Sequence, residues 1–414
     1  MPRERVAVIG AGVSGLTAAH VLQREHDVTL FEAQDRLGGH AHTHDLESVS
    51  VDSGFIVHNE ATYPNLIRLF GELGVATQDS EMSMSVRDES TGLEYAGARG
   101  AAGLFAQRRN LADPRHLGML AEVLRFHRAA RRVLAEHGDL EEEVTLGEFL
   151  RRHRFSRYFV DTFAVPVVSA VWSSGPDLSM QYPARYLFAF LANHGLLSVG
   201  GSHRWKTVVG GSARYVERVV KGLTAVEAAT PVRAVGRDGE GYEVRDDADV
   251  AHRFDRVVVA THAPTALALL VAPTVREREL LGAFSYSRNE TWLHTDTSVL
   301  PRAAGARASW NLLRVPGEDR VLVSYDMSRL MRLDGPETYV VTLNATDRVD
   351  PSTVIARMDY EHPAYTPASV AAQRRLPELN DGRIAFAGAY HGWGFHEDGC
   401  ASGVRAAASL GVAW

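Results

Sequence analysis

The sequence predicts an α/β protein with two lobes, one built on a parallel sheet of the Rossmann type and one of mixed α+β structure. Three observations lead to this fold class. The chain has 414 residues, more than the roughly 250 to 300 that one hydrophobic core usually holds. Residues 5–32 have the order buried strand, glycine turn, helix and buried strand that begins a parallel sheet. Residues 383–409 repeat the order strand, glycine-rich turn and helix.

The turn after the first strand has the sequence "GAGVSG", residues 10–15, which matches the pattern G-x-G-x-x-G. The first glycine of this pattern permits a tight turn, the second lets a diphosphate approach the backbone, and the third lets helix and strand pack closely. The helix that follows offers free N–H groups, and the acidic residue that closes the second strand can accept hydrogen bonds from a ribose. The sequence therefore predicts a dinucleotide site formed by Gly10, Gly12, Val13, Ser14, Gly15, Glu32 and Ala33.

Composition argues against several other classes of protein. A net charge of -7 argues against general nucleic-acid binding. The single cysteine, Cys400, excludes an internal disulfide framework and a thiolate metal cluster. No apolar run approaches the roughly 20 residues that cross a bilayer, so we expect a cytoplasmic protein.

The segment "AQDRLGGH", residues 33–40, favours FAD over NAD as the dinucleotide. It resembles the R-x-G-G segment of flavin amine oxidases and phytoene-desaturase-like flavoproteins, whose glycines pass close to the FAD diphosphate. The resemblance implies an FAD that is bound non-covalently and that contacts Arg36, Gly38, Gly39 and His40. In that superfamily a second arginine often follows the two glycines, and this chain has His40 there.

The C-terminal segment "GRIAFAGAYHGWGFHEDGCASGVRAAASL" supplies the matching half of the FAD site in that superfamily. We expect its helix to begin at about Asp398, so that the helix N-terminus at Gly399 and Cys400 faces the flavin edge on which negative charge develops. The predicted FAD contacts of this segment are Gly388, Asp398, Gly399 and Cys400.

Three segments in the first 270 residues complete the FAD lobe by the same resemblance. The start of a strand at Val232 would contact the adenine, Thr261 would border the flavin cavity, and Gly54 and Phe55 would run along the flavin ring. The FAD lobe is thus predicted to be discontinuous. It comprises residues 1–75, 205–270 and 376–414, and the substrate lobe comprises residues 76–204 and 271–375.

Several further stretches resemble a narrower family. "SGFIVHNEATYPNLIRLFGELGV", "SMSVRDESTGLEYAG", "VPVVSAVWSS" and "GFHEDGCASGVRAA" are similar to the N-terminal flavin-oxidase domain of plant cyclopropane fatty acid synthases. They are also similar to bacterial FAD-dependent oxidoreductases associated with such synthases. This resemblance implies a lipid or fatty-acyl substrate and a fatty-acid methyltransferase or cyclopropane synthase as a functional partner.

The sequence predicts an FAD-dependent oxidoreductase that transfers hydride from a carbon of an acyl chain to flavin N5, which desaturates or isomerises the chain. One alternative is a flavin-dependent amine or amino-acid oxidase. Classical members of that class place a lysine near the flavin, whereas the only lysines of this chain are Lys206 and Lys221. The other alternative is a non-catalytic flavoprotein that accompanies a lipid methyltransferase.

Two groups of residues are candidates for the reactive site. The turn before the C-terminal helix is expected to line the flavin, and its candidates are Tyr390, His391 and Trp393. His58 and Asn59 follow the segment that runs along the flavin ring, so either side chain could hydrogen-bond the ring or the substrate. His294 is a weaker candidate, because a histidine inside a strand is more often structural.

Residues 99–135 contain eight arginines and only two acidic residues, interleaved with apolar residues at helical spacing. In an acidic protein, such a segment could form a contact surface for anionic phospholipid. The alternative is an ordinary exposed helix face whose arginines pair with the acidic residues 141–143.

The segment "GGHAHTHD", residues 38–45, places His40, His42 and His44 on one side of a strand. A metal site is not expected, since no nearby cysteine or carboxylate pair completes a tetrahedral set. Covalent attachment of the flavin through His40 is disfavoured, because a segment beside the diphosphate is poorly placed to reach the ring. We predict a phosphate-side turn at His40 followed by a strand with structural histidines.

Overall fold

The strands of the computed structural model form five sheets in the part of the chain that the structure describes, residues 3–136, 144–172, 175–197, 203–315, 321–344 and 347–414. The strands are β1 (Arg5–Ile9), β2 (Asp27–Phe31), β3 (Thr43–Asp45), β4 (Ser50–Asp52), β5 (His58–Asn59), β6 (Thr77–Asp79), β7 (Met84–Asp88), β8 (Leu93–Ala96), β9 (Trp205–Val208), β10 (Ala225–Glu227), β11 (Val232–Asp238), β12 (Gly241–Asp246), β13 (Ala251–Phe254), β14 (Arg256–Val259), β15 (Ser285–His294), β16 (Trp310–Arg314), β17 (Val321–Asp326), β18 (Val340–Leu343), β19 (Val354–Ala364) and β20 (Ile384–Phe386).

The helices cover both faces of the parallel sheet and one face of the largest sheet. They are α1 (Val13–Leu22), α2 (Pro64–Leu73), α3 (Gly100–Leu104), α4 (Pro114–Ala135), α5 (Leu146–Arg152), α6 (Arg157–Phe159), α7 (Val165–Trp172), α8 (Pro176–Gln181), α9 (Ala184–Asn193), α10 (Ala213–Gly222), α11 (Ala263–Leu269), α12 (Val275–Leu281), α13 (Met327–Met331), α14 (Pro367–Arg375) and α15 (His396–Ser409). A π-helical turn, Val160–Ala164, joins α6 to α7, and short 3₁₀ turns include Ala389–His391.

A five-stranded parallel sheet in the order β10-β2-β1-β14-β20 forms the centre of the first lobe. Its strands are buried on both faces, which explains their continuous β-branched composition. Alternate residues face two separate cores. Val8 and Leu30 pack toward α1 and α15, whereas Ile9 and Phe31 pack on the opposite face. The predicted strand, turn, helix and strand of residues 5–32 are confirmed.

A seven-stranded mixed sheet in the order β19-β15-β18-β17-β16-β7-β8 forms the second lobe. β7 runs parallel to β16, and the other neighbouring strands are antiparallel. The helices between α4 and α9 form an aromatic-rich core with one face of this sheet. The predicted fold class, a Rossmann-type lobe with a mixed α+β lobe, is confirmed.

Three small sheets complete the strands of the described chain. β5, β9 and β6 form one of them, so β9 pairs with strands on both sides of the predicted boundary at residue 75. β11, β12 and β13 form another, with a hairpin between Asp238 and Gly241, and β3 pairs with β4 in the third. The residue limits given above for the two lobes remain a proposal.

The C-terminal helix begins earlier than predicted. We expected its start at about Asp398, but α15 begins at His396. The Asp398 carboxylate accepts a hydrogen bond from the backbone N–H of Phe395 at 2.9 Å, which caps the helix one turn before the predicted start. Gly399 and Cys400 therefore lie inside the first turns and pack against α1.

Candidate functional site

The glycine loop after β1 is shaped by close backbone contacts. Gly10 has φ of +100°, and its N–H donates to the carbonyl of Phe31 at 2.8 Å. A Cβ on Gly15 would lie 1.9 Å from the carbonyl oxygen of Gly10, so no side chain fits there. A Cβ on Gly12 would meet no atom within 4 Å. The space beside Gly12 is thus open to a ligand at the N-terminus of α1, whose first residues are the predicted contacts Val13 and Ser14.

Glu32 lies directly beside this loop at the carboxyl end of β2. One carboxylate oxygen accepts from the Ala11 N–H at 2.8 Å, and the other accepts from the Gln34 N–H at 3.0 Å. The Glu32 backbone also contacts the chain that leads into β11, because the Thr230 N–H donates to the Glu32 carbonyl. The structure therefore brings Val232 close to Glu32, whereas Ala33 is exposed.

Arg36 holds the turn that follows β2. Its guanidinium donates to the carbonyls of Gly39 at 2.8 Å and Ala41 at 3.1 Å. The Gly38 N–H donates to the Ala11 carbonyl at 2.9 Å, and a Cβ on Gly39 would lie 3.1 Å from the Gly12 Cα. The Arg36 turn therefore abuts the glycine loop, and the Arg36 guanidinium is engaged by backbone carbonyls.

His40 follows this turn and contacts the segment predicted to run along the flavin ring. The Phe55 N–H donates to the His40 carbonyl at 2.7 Å, and a Cβ on Gly54 would overlap that carbonyl at 2.1 Å. The Nε2 atom of His40 is buried and has no hydrogen-bond partner among the described residues. Thr261 lies on the far side of the loop, with its Cγ2 3.3 Å from a Cβ placed on Gly10.

His58 and Asn59 have different surroundings. His58 is fully buried, and neither ring nitrogen has a hydrogen-bond partner in the described chain. Burial lowers the pKa of His58 to about 4, so its ring is neutral at pH 7. The Asn59 side chain accepts from the N–H groups of Ala61 and Thr62 at 3.0 and 2.9 Å. Asn59 thus stabilises the turn before α2.

The three candidates of the C-terminal turn do not share one surface. Tyr390 is buried in the core that faces away from α1, where its ring packs on Phe284 at 5.1 Å. Trp393 packs instead against the helical core of the second lobe, and its carbonyl accepts from the Trp172 indole at 2.9 Å. His391 lies between them with a buried, unpartnered Nε2. Tyr390 and Trp393 thus pack into different cores, because Tyr390 lies within the 3₁₀ turn and Gly392 separates that turn from Trp393. That these residues line the flavin stays a prediction.

The remaining residues of that segment support its backbone. The Gly388 N–H donates to the Ser402 hydroxyl at 2.9 Å. A Cβ on Gly399 would lie 2.6 Å from a methyl carbon of Val13, and Thr17 donates to the Cys400 sulfur at 3.4 Å. Burial raises the pKa of Asp398 to about 7. These four residues lie next to the glycine loop or cap α15, and their contacts with FAD remain a proposal.

His294 is structural in this fold. Its Nε2 pairs with the Thr342 hydroxyl at 2.8 Å, and its Nδ1 accepts from the Asp296 N–H at 3.1 Å. His42 and His44 also have partners, since His42 contacts the Tyr360 hydroxyl and His44 contacts the Ser53 hydroxyl, both at 2.9 Å. Within the described residues, no group of three or more histidine, cysteine or acidic side chains could hold a metal ion.

Sequence reasoning missed residues that tertiary structure brings to the site. His262, on the turn after β14, and His362, on β19, approach His40 with ring centroids 6.5 and 5.5 Å away. Trp310 and Tyr325 form an aromatic pair on the second sheet with ring centroids 5.2 Å apart. The alternation of side chains along β16, β17 and β19 was the only sequence signal for these residues. It shows which residues of a strand share a face, but not which strands become neighbours.

The open space at Gly12, the unpartnered nitrogen of His40 and the carboxylate of Glu32 fit a dinucleotide that enters along the glycine loop. The sequence matches the family of flavin containing amine oxidoreductases over residues 13–410. The chain belongs to this family. Its cofactor is FAD, as the two motifs predicted, and the arrangement of glycines and donors fits that cofactor.

Curated relatives agree with this assignment. The chain is 30% identical over 253 residues to a putative flavin-containing monoamine oxidase, AofH, of Mycobacterium tuberculosis, which covers 58% of this chain and 53% of the relative. It is 28% identical over 221 residues to protoporphyrinogen oxidase 2 of Arabidopsis thaliana, covering 51% and 41%. The chain thus spans about half the length of the curated relatives that it matches.

Solved structures share the fold along the whole chain. A triple mutant of putrescine oxidase aligns with a TM-score of 0.74 and 16% identity over 99% of this chain and 98% of that chain. A putative protoporphyrinogen oxidase from an Exiguobacterium species gives 0.72 and 19%, covering 99% of each chain. A fatty acid isomerase from P. acnes that produces CLA gives 0.69 and 16%, covering 97% of each. At these identities the likeness concerns the fold.

Among the described helices, none is long and apolar enough to span a bilayer.

Two glycine substitutions should distinguish an effect on FAD binding from an effect on the stability of the fold. Gly12→Ala should leave the free energy of unfolding of the FAD-free protein nearly unchanged, because the new methyl group meets open space and φ is -71°. It should weaken FAD binding by about tenfold or more, since the methyl group occupies the diphosphate cradle. Fluorescence titration with FAD and urea unfolding measure the two effects.

Gly15→Ala is the matched control, with a Cβ that overlaps the Gly10 carbonyl. It should destabilise the FAD-free protein by about 3 kcal/mol. Equal FAD affinity in Gly12→Ala and wild type would contradict the prediction that the diphosphate binds beside Gly12.

His58→Phe should raise the free energy of unfolding at pH 7 by about 1 kcal/mol, because it removes a buried polar ring without partners. It should also reduce acid sensitivity. The folded pKa of His58, about 4, is below its usual value near 6.5, so the unfolded state binds more protons, and the wild type loses stability as pH falls from 6.5 toward 4. Urea unfolding at pH 7 and pH 5 measures both effects.

The exposed residue His153 provides the control, and His153→Gln should change neither quantity. An unchanged pH dependence in His58→Phe, or lower stability at pH 7, would contradict a buried, neutral His58 ring without hydrogen-bond partners.

Proposed function

We propose that this protein is an FAD-dependent oxidoreductase that oxidises an acyl chain of a lipid and thereby desaturates or isomerises it. FAD supplies the acceptor for the hydrogen removed from carbon when it is bound. The protein residues bind the apolar chain, orient it beside the cofactor and exclude water. The observation that carries the proposal is the apolar face of the seven-stranded sheet.

Two rows of apolar side chains cross four strands on this face. Strand pairing aligns Tyr325 with Trp310, and Val323 with Leu312. β18 pairs with β17, and β7 pairs with β16, so each of these outer strands adds one residue to each row. Side chains on paired positions share a face, so the two rows form one apolar patch. The next row on this face contains the ion pair of Arg314 with Asp88 at 3.2 Å, which bounds the patch. The first row is Val341, Tyr325, Trp310 and Met84, and the second row is Leu343, Val323, Leu312 and Val86.

The opposite face of the same strands is mixed, with a small apolar cluster at Leu313 and Leu322 beside hydrogen-bonded polar residues. Thr342 and Ser324 share a hydrogen bond at 2.8 Å, and the Ser85 hydroxyl donates to the Asn311 side chain at 2.8 Å. Such a division between an apolar and a polar face is ordinary in antiparallel sheets, so the proposal depends on where the apolar rows lie.

The first apolar row lies where the two hydrophobic cores meet. Trp310 and Tyr325 are each partly exposed and pack against both the core of the first lobe and the helical core. Helix α7 packs across β16, β17 and β19 on this side. Its partly exposed residues Val167 and Val171 extend the apolar surface. We propose that a hydrocarbon chain binds along the partly exposed apolar residues between α7 and the sheet, where it would gain dispersion contacts and meet no polar partner.

The comparisons support the same substrate class. A fatty acid isomerase shares this fold. The stretches similar to flavoproteins that accompany cyclopropane fatty acid synthases support an acyl substrate and a fatty-acid methyltransferase as a functional partner.

An amine or amino-acid oxidase is the second candidate function. The relationship to a putative monoamine oxidase favours it. The Trp310 and Tyr325 rings also favour it, because aromatic faces attract ammonium groups. Against it, the apolar rows contain no carboxylate for an ammonium ion, and the chain has no lysine after Lys221.

Helix α4 supports delivery of a lipid from a bilayer. Leu111, just before it, and Leu117 and Leu124 within it are 58%, 45% and 43% exposed. Of the two acidic residues in segment 99–135, Asp113 pairs with Arg115 and Glu122 pairs with Arg125. Arg132 pairs with Glu136 just after the segment, so three of its eight arginines have an acidic partner and the segment keeps an excess of positive charge. The alternative partners, residues 141–143, lie outside the described residues. We propose that exposed leucines and excess positive charge let this surface contact anionic phospholipid.

The decisive experiment is anaerobic mixing of the FAD-loaded protein with two sets of compounds. One set contains phospholipids with unsaturated or methyl-branched chains, and the other contains amines and amino acids. Bleaching of the flavin absorbance by lipids alone is expected. Bleaching by amines alone would replace the proposal with the second candidate function.

Trp310→Glu tests the apolar rows directly. A carboxylate among these side chains should make acyl lipid bleach the flavin about tenfold or more slowly. Binding of the acyl chain would then remove water from a charged group, which costs free energy. Trp310→Phe, the matched control, keeps the apolar surface and should retain most of the rate. FAD content should be normal in both variants, and equal lipid rates in them would show that the substrate binds elsewhere.

The double substitution Leu117→Ser and Leu124→Ser tests the bilayer contact. It should lower co-sedimentation with phosphatidylglycerol vesicles by about tenfold, since two exposed leucines no longer enter the interface. Val275→Ser, at a residue that is 76% exposed on another helix, should have no effect. Equal sedimentation with phosphatidylcholine and phosphatidylglycerol vesicles would argue against an anionic lipid surface.

A further inference from the structure

We infer that His40, His262 and His362 form the wall of the FAD site that binds the diphosphate, and that FAD binding takes up a proton at this wall. The inference goes beyond the proposed function and rests on FAD as the cofactor, not on the substrate. Its test therefore needs no substrate.

The three histidines come from three separate parts of the chain. His40 follows the Arg36 turn, which abuts Gly12 of the glycine loop. His262 follows Thr261, which contacts the loop from the Gly10 side. His362 lies on β19, with its ring centroid 5.5 Å from that of His40. The loop that accepts a diphosphate is thus bordered by imidazole rings from two directions.

Two phosphates require compensating positive charge or N–H donors, and among the described residues the Arg36 turn offers no free guanidinium. Arg36 is the nearest candidate, but its guanidinium donates to three backbone carbonyls, those of Leu37, Gly39 and Ala41. His40 therefore provides the free polar atom on this side of the loop, since its Nε2 is buried without a partner among the described residues. A buried donor or acceptor without a partner is costly unless a ligand satisfies it.

Hydrogen bonding determines the tautomer of His362. The Asn289 side chain donates from Nδ2 to His362 Nδ1 at 2.9 Å. The orientation of that amide is set by Asn344, whose side chain donates to the Asn289 Oδ1 at 2.7 Å. His362 must therefore carry its proton on Nε2, so the neutral ring presents an N–H donor, as an anion requires.

His262 has a carboxylate partner. Its Nδ1 lies 3.0 Å from a carboxylate oxygen of Glu361, and its ring stacks on Tyr286 with centroids 4.2 Å apart. The His262 side chain is 36% exposed, and Glu361 is 50% exposed. The carboxylate orients the ring and favours its protonated form, but burial has the larger effect and lowers the pKa of His262.

His40 is the group that gains the proton. Burial lowers its pKa well below the usual value, and the nearby His362 and His262 rings act in the same direction. Further groups around it are Tyr360 on β19, with a ring centroid 5.0 Å away, and the more distant His396 and Arg36. Glu361 is the acidic side chain that faces this cluster, through His262.

The diphosphate of FAD reverses this balance, because it adds two negative charges beside a neutral imidazole. An opposite charge within a few ångströms favours the protonated ring. Linkage then requires that FAD affinity fall as pH rises, by about tenfold for each pH unit between the pKa of His40 in the free protein and that in the complex.

Isothermal titration of the full-length FAD-free protein with FAD at pH 7 tests the inference directly. Titrations in HEPES and in Tris, which differ in ionisation enthalpy, give the number of protons taken up. We expect close to one proton, and a dissociation constant about tenfold or more higher at pH 8.5 than at pH 6.5. No proton uptake, together with an affinity independent of pH, would overturn the inference.

Substitutions of His40 test whether this residue takes up the proton. His40→Gln should lose the proton uptake and weaken FAD binding mainly at pH 6.5. His40→Arg carries a permanent charge, so it should retain affinity at pH 8.5 without proton uptake. His44→Gln, four residues along the same segment, is the matched control and should behave like the wild type.

His262→Gln and His362→Gln extend the test, and each should weaken FAD binding. Proton uptake that persists in His40→Gln and in both of these variants would overturn the assignment to this cluster. Circular dichroism confirms that each FAD-free variant is folded before titration. Since no step uses a substrate, failure here is distinguishable from failure of the acyl-lipid proposal.

Discussion

The close contact between α1 and α15 is the constraint on which the rest of the structure depends. A Cβ on Gly403 would lie 2.3 Å from the Ser14 carbonyl, and a Cβ on Gly399 would lie 2.6 Å from Val13. Only glycine lets the two helices approach to this distance. The contact brings the end of the chain over the N-terminal glycine loop. α15 also contacts α2, because the Glu397 carboxylate accepts from the N–H of Leu66 at 3.0 Å. This hydrogen bond pairs one of the free N–H groups in the first turn of α2.

The position of the second lobe follows from this arrangement. β19 runs back toward the glycine loop, so His362 and Tyr360 approach the loop residue His40. The same sheet then continues away from the loop through Tyr325 and Trp310, where its face becomes apolar. One sheet thus supplies polar rings beside His40 and apolar rows farther on, where the proposed reaction would place the hydrocarbon chain.

Burial explains the electrostatics of the site. Desolvation lowers the pKa values of His391 and His396 to about 3, so these rings are neutral at pH 7. It raises the pKa of Asp398 to about 7. A site with few fixed charges suits an uncharged acyl substrate. It also makes the incoming diphosphate the dominant local charge, and this is why the inferred proton uptake depends on FAD.

The sequence by itself determined the Rossmann-type lobe, the cofactor and the residues of the glycine loop. Those features follow from local spacing, since Gly10, Gly12, Gly15 and Glu32 lie within one strand, turn, helix and strand unit. Only the tertiary structure decided which distant residues join them. His262 and His362 became neighbours of His40 through strand pairing, and Tyr390 was directed into the core by one 3₁₀ turn. Sequence alternation shows which residues of a strand share a face, but strand order and register depend on long-range packing, which local spacing does not contain.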